Sequence, residues 1–145
     1  MQTEAILEQW LRDFITQHGG IAGTVHVRAG EALVLRAALN IPPKVAEITR
    51  TIPKGKGMAG LAWERNATVA TCNLKTDASG DVRPGARAVD AQAALAVPVR
   101  NPGGELRAVV GIAFMGERDF PESELQRFEA LVEGLPPSDA SSETA

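Results

Sequence analysis

Apolar residues in the segment 2–18 recur at helical spacing. Ile6, Leu7, Trp10, Leu11, Phe14 and Ile15 form the set, with Glu4, Glu8, Arg12 and Asp13 between them. Ile6 and Trp10 widen the apolar face, so one side can cover a sheet while the other meets a second subunit. Gly19-Gly20 stops the helix. The period then falls to two. Val25 and Val27 share one face of a strand over 21–29, and Thr24, His26 and Arg28 share the other. Ala29-Gly30-Glu31 turns the chain into a partner strand over 32–39. Pro42-Pro43-Lys44 opens a helical turn through Ile48, and an extended piece at 50–53 leads to a helix from about 58 to 66 and a β-branched strand over Thr68–Cys72.

Residues 73–90 have no clear period and contain Gly80, Pro84 and Gly85. Loops longer than about 12 residues inside a compact domain are often functional. Strands over 91–100 and 105–115 follow, joined by Asn101-Pro102-Gly103-Gly104. A last helix starts at Pro121, with Glu122 and Glu124 in its first turn, and buries Leu125, Phe128, Leu131, Val132 and Leu135. Pro136-Pro137 end it. The order helix, hairpin, irregular middle, hairpin, helix implies an α+β fold. A central antiparallel sheet of about five to six strands would carry the N- and C-terminal helices on one face. Loops and the short middle helix would cap the other. Residues 1–135 form this domain, and 136–145 read as a disordered polar tail.

Composition narrows the class. A chain of 145 residues, 44% hydrophobic and 23% charged, fits one soluble globular domain. The net charge of -3 argues against a general nucleic-acid binder. Residues 50–87 nevertheless carry seven basic groups against three acidic, a local +4 that leaves -7 elsewhere. Such a field favours an anionic ligand. A single cysteine, Cys72, makes no internal disulfide and packs as a small hydrophobe. No run approaches a membrane span and no signal segment is visible, so the expected address is the cytoplasm.

Candidate chemistry concentrates at Ile52-Pro53-Lys54-Gly55-Lys56-Gly57-Met58-Ala59-Gly60. A glycine turn feeding a helix start leaves unpaired N–H groups and the positive end of a dipole aimed at one spot. The expected ligand-binding residues are Gly57, Met58, Ala59 and Gly60, with Trp63 as an apolar wall and Asn73, Arg83 and Arg87 as polar additions. An arginine could clamp an anion with its planar fork. The competing reading puts Met58 and Trp63 in the core and pairs the arginines with Asp77, Asp81 or Asp90. Ala93, Ala94 and Ala96 on one strand serve either close packing or cavity room. No nucleophile–base set, metal-ligand cluster or phosphate-loop motif is present, so no catalytic residue, metal or cofactor is expected.

Five segments together resemble a GAF domain, the small-molecule sensing module of many signalling proteins. They are Ile52 to Glu64, then Ala94-Leu95-Ala96-Val97-Pro98-Val99-Arg100, Gly104-Glu105-Leu106, Val109-Val110-Gly111-Ile112, and Phe120-Pro121-Glu122-Ser123-Glu124-Leu125. The likeness spans about residues 3–135. It implies a ligand cavity under the middle loops and dimerisation through the terminal helices.

Subclasses separate on single residues. Free methionine sulfoxide reductases of this family need a cysteine pair, and the matching places here hold Met58-Ala59 and Ala88-Val89-Asp90-Ala91. Cys72 alone cannot run a thiol–disulfide cycle. The cyclic-nucleotide pattern lacks its phenylalanine, and a bilin site lacks its loop cysteine and histidine. A haem ligand would have to be His18 or His26. His18 closes a helix, where a positive imidazole is favoured, and His26 reads as a solvent-facing strand residue. The expectation is a stand-alone sensor that binds a small anionic molecule without catalysis, forms a homodimer, and signals through a separate partner protein. Nucleic acid and membrane are not expected partners. The alternatives are a ligand-free structural or dimerisation module and, disfavoured by the missing cysteines, an enzyme of the free methionine sulfoxide reductase kind.

Overall fold

A computed structural model describes residues 2–71, 93–116 and 118–137. Helix α1 (Gln2–Gln17) precedes the hairpin β1 (Ala22–Ala29) and β2 (Ala32–Leu39). A short α2 (Pro43–Ile48), an edge strand β3 (Thr51–Pro53), α3 (Gly57–Arg65) and a second short strand β4 (Val69–Thr71) make the middle of the chain. The long hairpin β5 (Ala93–Arg100) and β6 (Leu106–Phe114) leads to α4 (Glu122–Leu131), which ends in a 3₁₀ turn at Val132–Gly134. The strands form one six-stranded sheet in the order β3-β2-β1-β6-β5-β4, antiparallel at every junction. This is the α+β arrangement that the alternating periods imply, with six strands at the upper end of the expected range.

The strand period of two sends each central strand to two different cores. Val25, Val27, Leu95, Val97, Val99, Val110, Ile112 and Phe114 face α1 and α4, where they meet Leu7, Leu11, Phe14, Ile15 and Phe128. The opposite face holds Leu33, Ile52, Val69, Ala96, Leu106 and Val109 beneath Ala62 and Trp63 of α3. Both faces of the middle strands are therefore covered. That explains why 93–100 and 106–114 read as nearly continuous apolar runs.

Helix α1 keeps the wide apolar face read from its sequence. Trp10 stacks on Phe14 at 4.9 Å between ring centroids, and Ile6 is 54% exposed. Two histidine readings need correction. His18 packs its ring 5.0 Å from Phe14 and 5.7 Å from Phe128. Burial and, after it, the Arg127 guanidinium lower its pKa against the opposing Glu124 carboxylate, which favours the neutral imidazole at pH 7. His26 does not face solvent. It is 3% exposed, because α2 and its C-terminal connection cover that part of β1.

Candidate functional site

The glycine turn is built by backbone hydrogen bonds. Gly55 N–H donates to Gly60 O at 2.9 Å, Lys56 N–H to Pro53 O at 3.2 Å, and Gly60 N–H to Lys56 O at 3.1 Å. Gly55 and Gly57 sit at φ of 86° and 67°, a left-handed backbone that side chains resist. A Cβ on Gly60 would stand 2.6 Å from Pro53 O, so this glycine lets α3 lie against the turn. The expectation that Gly60 offers its N–H to a ligand is thereby corrected, since that group is spent on Lys56. Helix α3 has no side-chain cap at Lys56. The N–H groups of Gly57, Met58 and Ala59 remain at its positive end.

The other predicted residues separate. Trp63 is 7% exposed and belongs to the core with Leu33, Ile52 and Val109. Its ring is flanked by Arg28 at 5.1 Å and Lys54 at 5.5 Å, cations that cover it from the solvent side. Met58 is half-buried and touches two clusters, the one around Trp63 and a second containing Ala22, Val45, Ala94 and Ala113. Asn73, Arg83 and Arg87 lie outside the described residues, as do Cys72 and the irregular stretch 73–90.

Beside Met58 the sheet changes character. Strand register places Ala22 opposite Ala113 and Ala113 opposite Ala94, and the next row runs Thr24, Gly111, Ala96. These are the smallest side chains on that face, and they sit on the three central strands β1, β6 and β5. Thr24, Ala94, Gly111 and Ala113 are only half-buried. A central strand normally hides such positions, so the small residues form an open floor. The Ala-rich strand that allowed two readings is thus divided by the pleat: Ala93 packs towards the terminal helices, whereas Ala94 and Ala96 face α3.

His26 rises from the same face of β1, two residues beyond Thr24. Its Nε2 lies 2.8 Å from Thr49 O at the end of α2. A carbonyl only accepts, so Nε2 carries the proton. Burial depresses the pKa, with the bond to Thr49 opposing, and the ring is neutral at pH 7. Nδ1 is therefore a bare acceptor, buried and without a hydrogen-bond partner among the described residues. The Nε2 bond also removes His26 from the haem reading, since that nitrogen is engaged. Among the described residues no group of three or more His, Cys, Asp or Glu could hold a metal. No described helix is long and apolar enough to cross a membrane.

Sequence reasoning placed Thr24 and His26 on one face but could not see that α2 folds over it. The half-buried floor is a product of register between strands distant in sequence. The alanine spacing in 93–96 was the one available sign.

The same architecture occurs in solved structures. The GAF domain from a phosphoenolpyruvate-protein phosphotransferase of Coxiella burnetii is similar at a TM-score of 0.76 and 19% identity, over 98% of this chain and 84% of that one. The free methionine-R-sulfoxide reductase of Neisseria meningitidis, solved with its substrate, is similar at a TM-score of 0.74 and 18% identity, over 99% and 81%. The second GAF domain of DevS from Mycobacterium smegmatis is similar at 0.63 and 20%, over 98% and 93%. At these identities the likeness is one of fold. No curated protein matches the chain. The family model for the GAF domain matches residues 3–135, which takes in the glycine turn, the open floor and both terminal helices, and the chain belongs to the GAF domain family.

Proposed function

We propose that this GAF domain binds a small anionic molecule without transforming it, and that its bound state is read by a separate partner protein. The observation that carries the reading is the floor of Ala22, Thr24, Ala94, Gly111 and Ala113. It is half-buried at Thr24, Ala94, Gly111 and Ala113, and Ala22 is covered by Val45 of α2, with Met58 at the uncapped start of α3 packed beside it. Small side chains give room, and the helix start supplies N–H groups and positive potential for an anion. The +4 balance of residues 50–87 acts in the same direction. The single cysteine of the sequence, Cys72, cannot close within one chain the disulfide that a reductase cycle requires, and this supports the non-catalytic reading. Association of two copies through α1 and α4 belongs to the same reading, with the exposed Ile6 at the contact.

The test is a thermal-shift panel of small carboxylates, phosphates and nucleotides, because binding to the native state raises the unfolding midpoint. A member of the panel is expected to raise it in a concentration-dependent way. Arg83→Ala with Arg87→Ala is expected to weaken that binding at least tenfold. A midpoint unmoved across the panel would favour the ligand-free dimerisation module. Turnover of free methionine sulfoxide that disappears in Cys72→Ser would overturn the non-catalytic part.

A further inference from the structure

The segment 41–49, which carries α2, is a short piece of chain laid over the sheet and tied down at both ends. Before it, Asn40 sits at φ of 56° and donates from Nδ2 to Ile21 O at 2.9 Å. After it, Arg50 O accepts from Leu35 N–H at 2.8 Å. Between these ties α2 has six residues, no side-chain cap and one buried residue, Val45, which packs with Ala22, Ile21, Ile41 and Met58. A helix this short does not hold itself in water. Ile48 remains 49% exposed, so little apolar area pins the segment. Its polar contact with the strand beneath is the bond from His26 Nε2–H to Thr49 O at 2.8 Å.

His26 is buried, with Leu35 of β2 and Val109 of β6 on either side in the register. Those neighbours belong to the sheet, so α2 and its connection are the part of the enclosure that can lift. On the strands, the charged groups nearest in sequence and register are Arg28, Arg36 and Arg107. Arg28 lies over Trp63, as does Lys54, and Arg107 donates to Leu135 O and Pro136 O. On α2 and its connection they are Lys44, Glu47 and Arg50. None of these charges enters the causes of the ring's lowered pKa, which are burial first and the Thr49 bond opposing it. A proton on Nδ1 would place a positive charge inside this enclosure. The new N–H would have no acceptor, since Nδ1 is buried without a partner among the described residues. The charge also strengthens the Nε2 bond, but burial is the larger effect on this ring.

We infer that His26 is an acid-sensitive latch: protonation of its ring releases the segment 41–49 from the sheet, while the strands and the terminal helices stay folded. Release takes Val45 away from Ala22 and uncovers that end of the floor. The inference stands whether or not a ligand occupies the floor. Its sign follows from linkage. A ring that meets water once α2 has lifted titrates near its ordinary value of 6.5, and the enclosed ring titrates lower. The lifted form therefore binds the proton first. Its population relative to the closed form rises by up to about tenfold per pH unit as pH falls below about 6.5.

Hydrogen exchange of the full chain, followed from milliseconds to hours between pH 7 and pH 5, tests the latch. The reporters are Ala46 N–H, bonded to Pro42 O, and Thr49 N–H, bonded to Val45 O. Rates are divided by the intrinsic rate at each pH to give protection. Both amides are expected to be less protected than those of β6 at every pH, and to lose protection by up to about tenfold per unit below about pH 6.5. They are expected to ignore urea well below the unfolding transition, as a local opening does. The ring resonances of His26 are expected to titrate over the same range. His26→Gln keeps an N–H donor for Thr49 O and has no proton to gain, so protection of α2 is expected to be independent of pH in that variant. Amides of α2 that exchange only with those of β6, at the same rate and with the same urea dependence, show that opening is global and overturn the inference. Protection of α2 that stays constant from pH 7 to 5, whether or not the ring titrates, overturns it as well, and that result needs no variant. A pH dependence that survives in folded His26→Gln assigns the proton elsewhere and removes His26 from the role.

Discussion

Replacing Gly60 with alanine sets two effects against each other. At an ordinary position inside a helix the change stabilises by about 0.8–1.0 kcal/mol, because alanine loses less backbone freedom on folding. Here the new Cβ would stand 2.6 Å from Pro53 O and 3.1 Å from Gly55 N, where ordinary contact begins at 3.4 Å. Both obstacles are backbone atoms of the turn and cannot swing away as a side chain could. Relief needs α3 and the turn to part by about 0.8 Å, the difference between 3.4 and 2.6 Å. That movement strains the 2.9 Å bond from Gly55 N–H to Gly60 O. Losing the bond destabilises by about 0.5–1.5 kcal/mol, and overpacking of this kind by about 1–3 kcal/mol. The net expectation is a loss of about 1–3 kcal/mol. For a chain of this size, 2 kcal/mol lowers Tm by roughly 4–8 °C. Urea unfolding is the assay, with the midpoint falling and the slope m unchanged. Gly134→Ala is the control. It meets nothing within 4 Å, so its effect is expected to stay within about 0.5 kcal/mol. Stability of Gly60→Ala at or above wild type would refute the view that this glycine exists for close approach.

Three further outcomes follow from the packing and the charges. Phe128 is fully buried, 6.0 Å from Phe14 and 6.3 Å from Phe114 between ring centroids, and Phe128→Ala is expected to lower unfolding stability by about 3–5 kcal/mol in urea. Arg100 donates from Nε to Asn66 Oδ1 at 2.7 Å and from Nη2 to Asn66 O at 2.6 Å, holding the left-handed end of α3, and it lies 3.7 Å from Glu129 of α4. Arg100→Ala is expected to destabilise by about 1 kcal/mol after allowance for its partial exposure, with Arg100→Lys recovering less than half, since lysine lacks the planar fork. His26 has a folded pKa below its unfolded value of 6.5, so the unfolded chain binds the proton first. Its contribution is fully present above about pH 6.5 and is lost as pH falls towards the folded pKa, with a slope of at most about 1.4 kcal/mol per pH unit. His18 acts in the same direction. Stability measured from pH 7 down to 5 is expected to fall less steeply in His26→Gln than in wild type, and parallel curves would show that His26 titrates normally.

Much of this architecture is legible in the chain. The helical spacing from Ile6 to Ile15 and the alternation around Val25 are local patterns, and both are repeated in the structure; Pro121, expected as the first helical residue, is instead the extended N-cap of a helix that begins at Glu122. Periodicity states which residues share a face. It does not state what lies above that face. His26 shows the difference: its side of β1 was correct, yet its burial depends on Thr49, 23 residues away. Gly60 shows it again. Three glycines mark a tight turn from sequence, but whether they cradle an anion or admit a neighbouring backbone depends on where Pro53 O lies.

By itself, then, the sequence determined the elements, their order, the two-sided character of the central strands and the family landmarks. These follow from local propensity and from periods of two and 3.6. Only the tertiary structure decided which small residues line up as Ala22, Ala113 and Ala94 across three strands, that Trp63 is core, and that one nitrogen of His26 is held by Thr49 O while the other is buried without a partner among the described residues. Register and burial are set by contacts between residues far apart in the chain, and the chemistry of a binding site is made from those contacts.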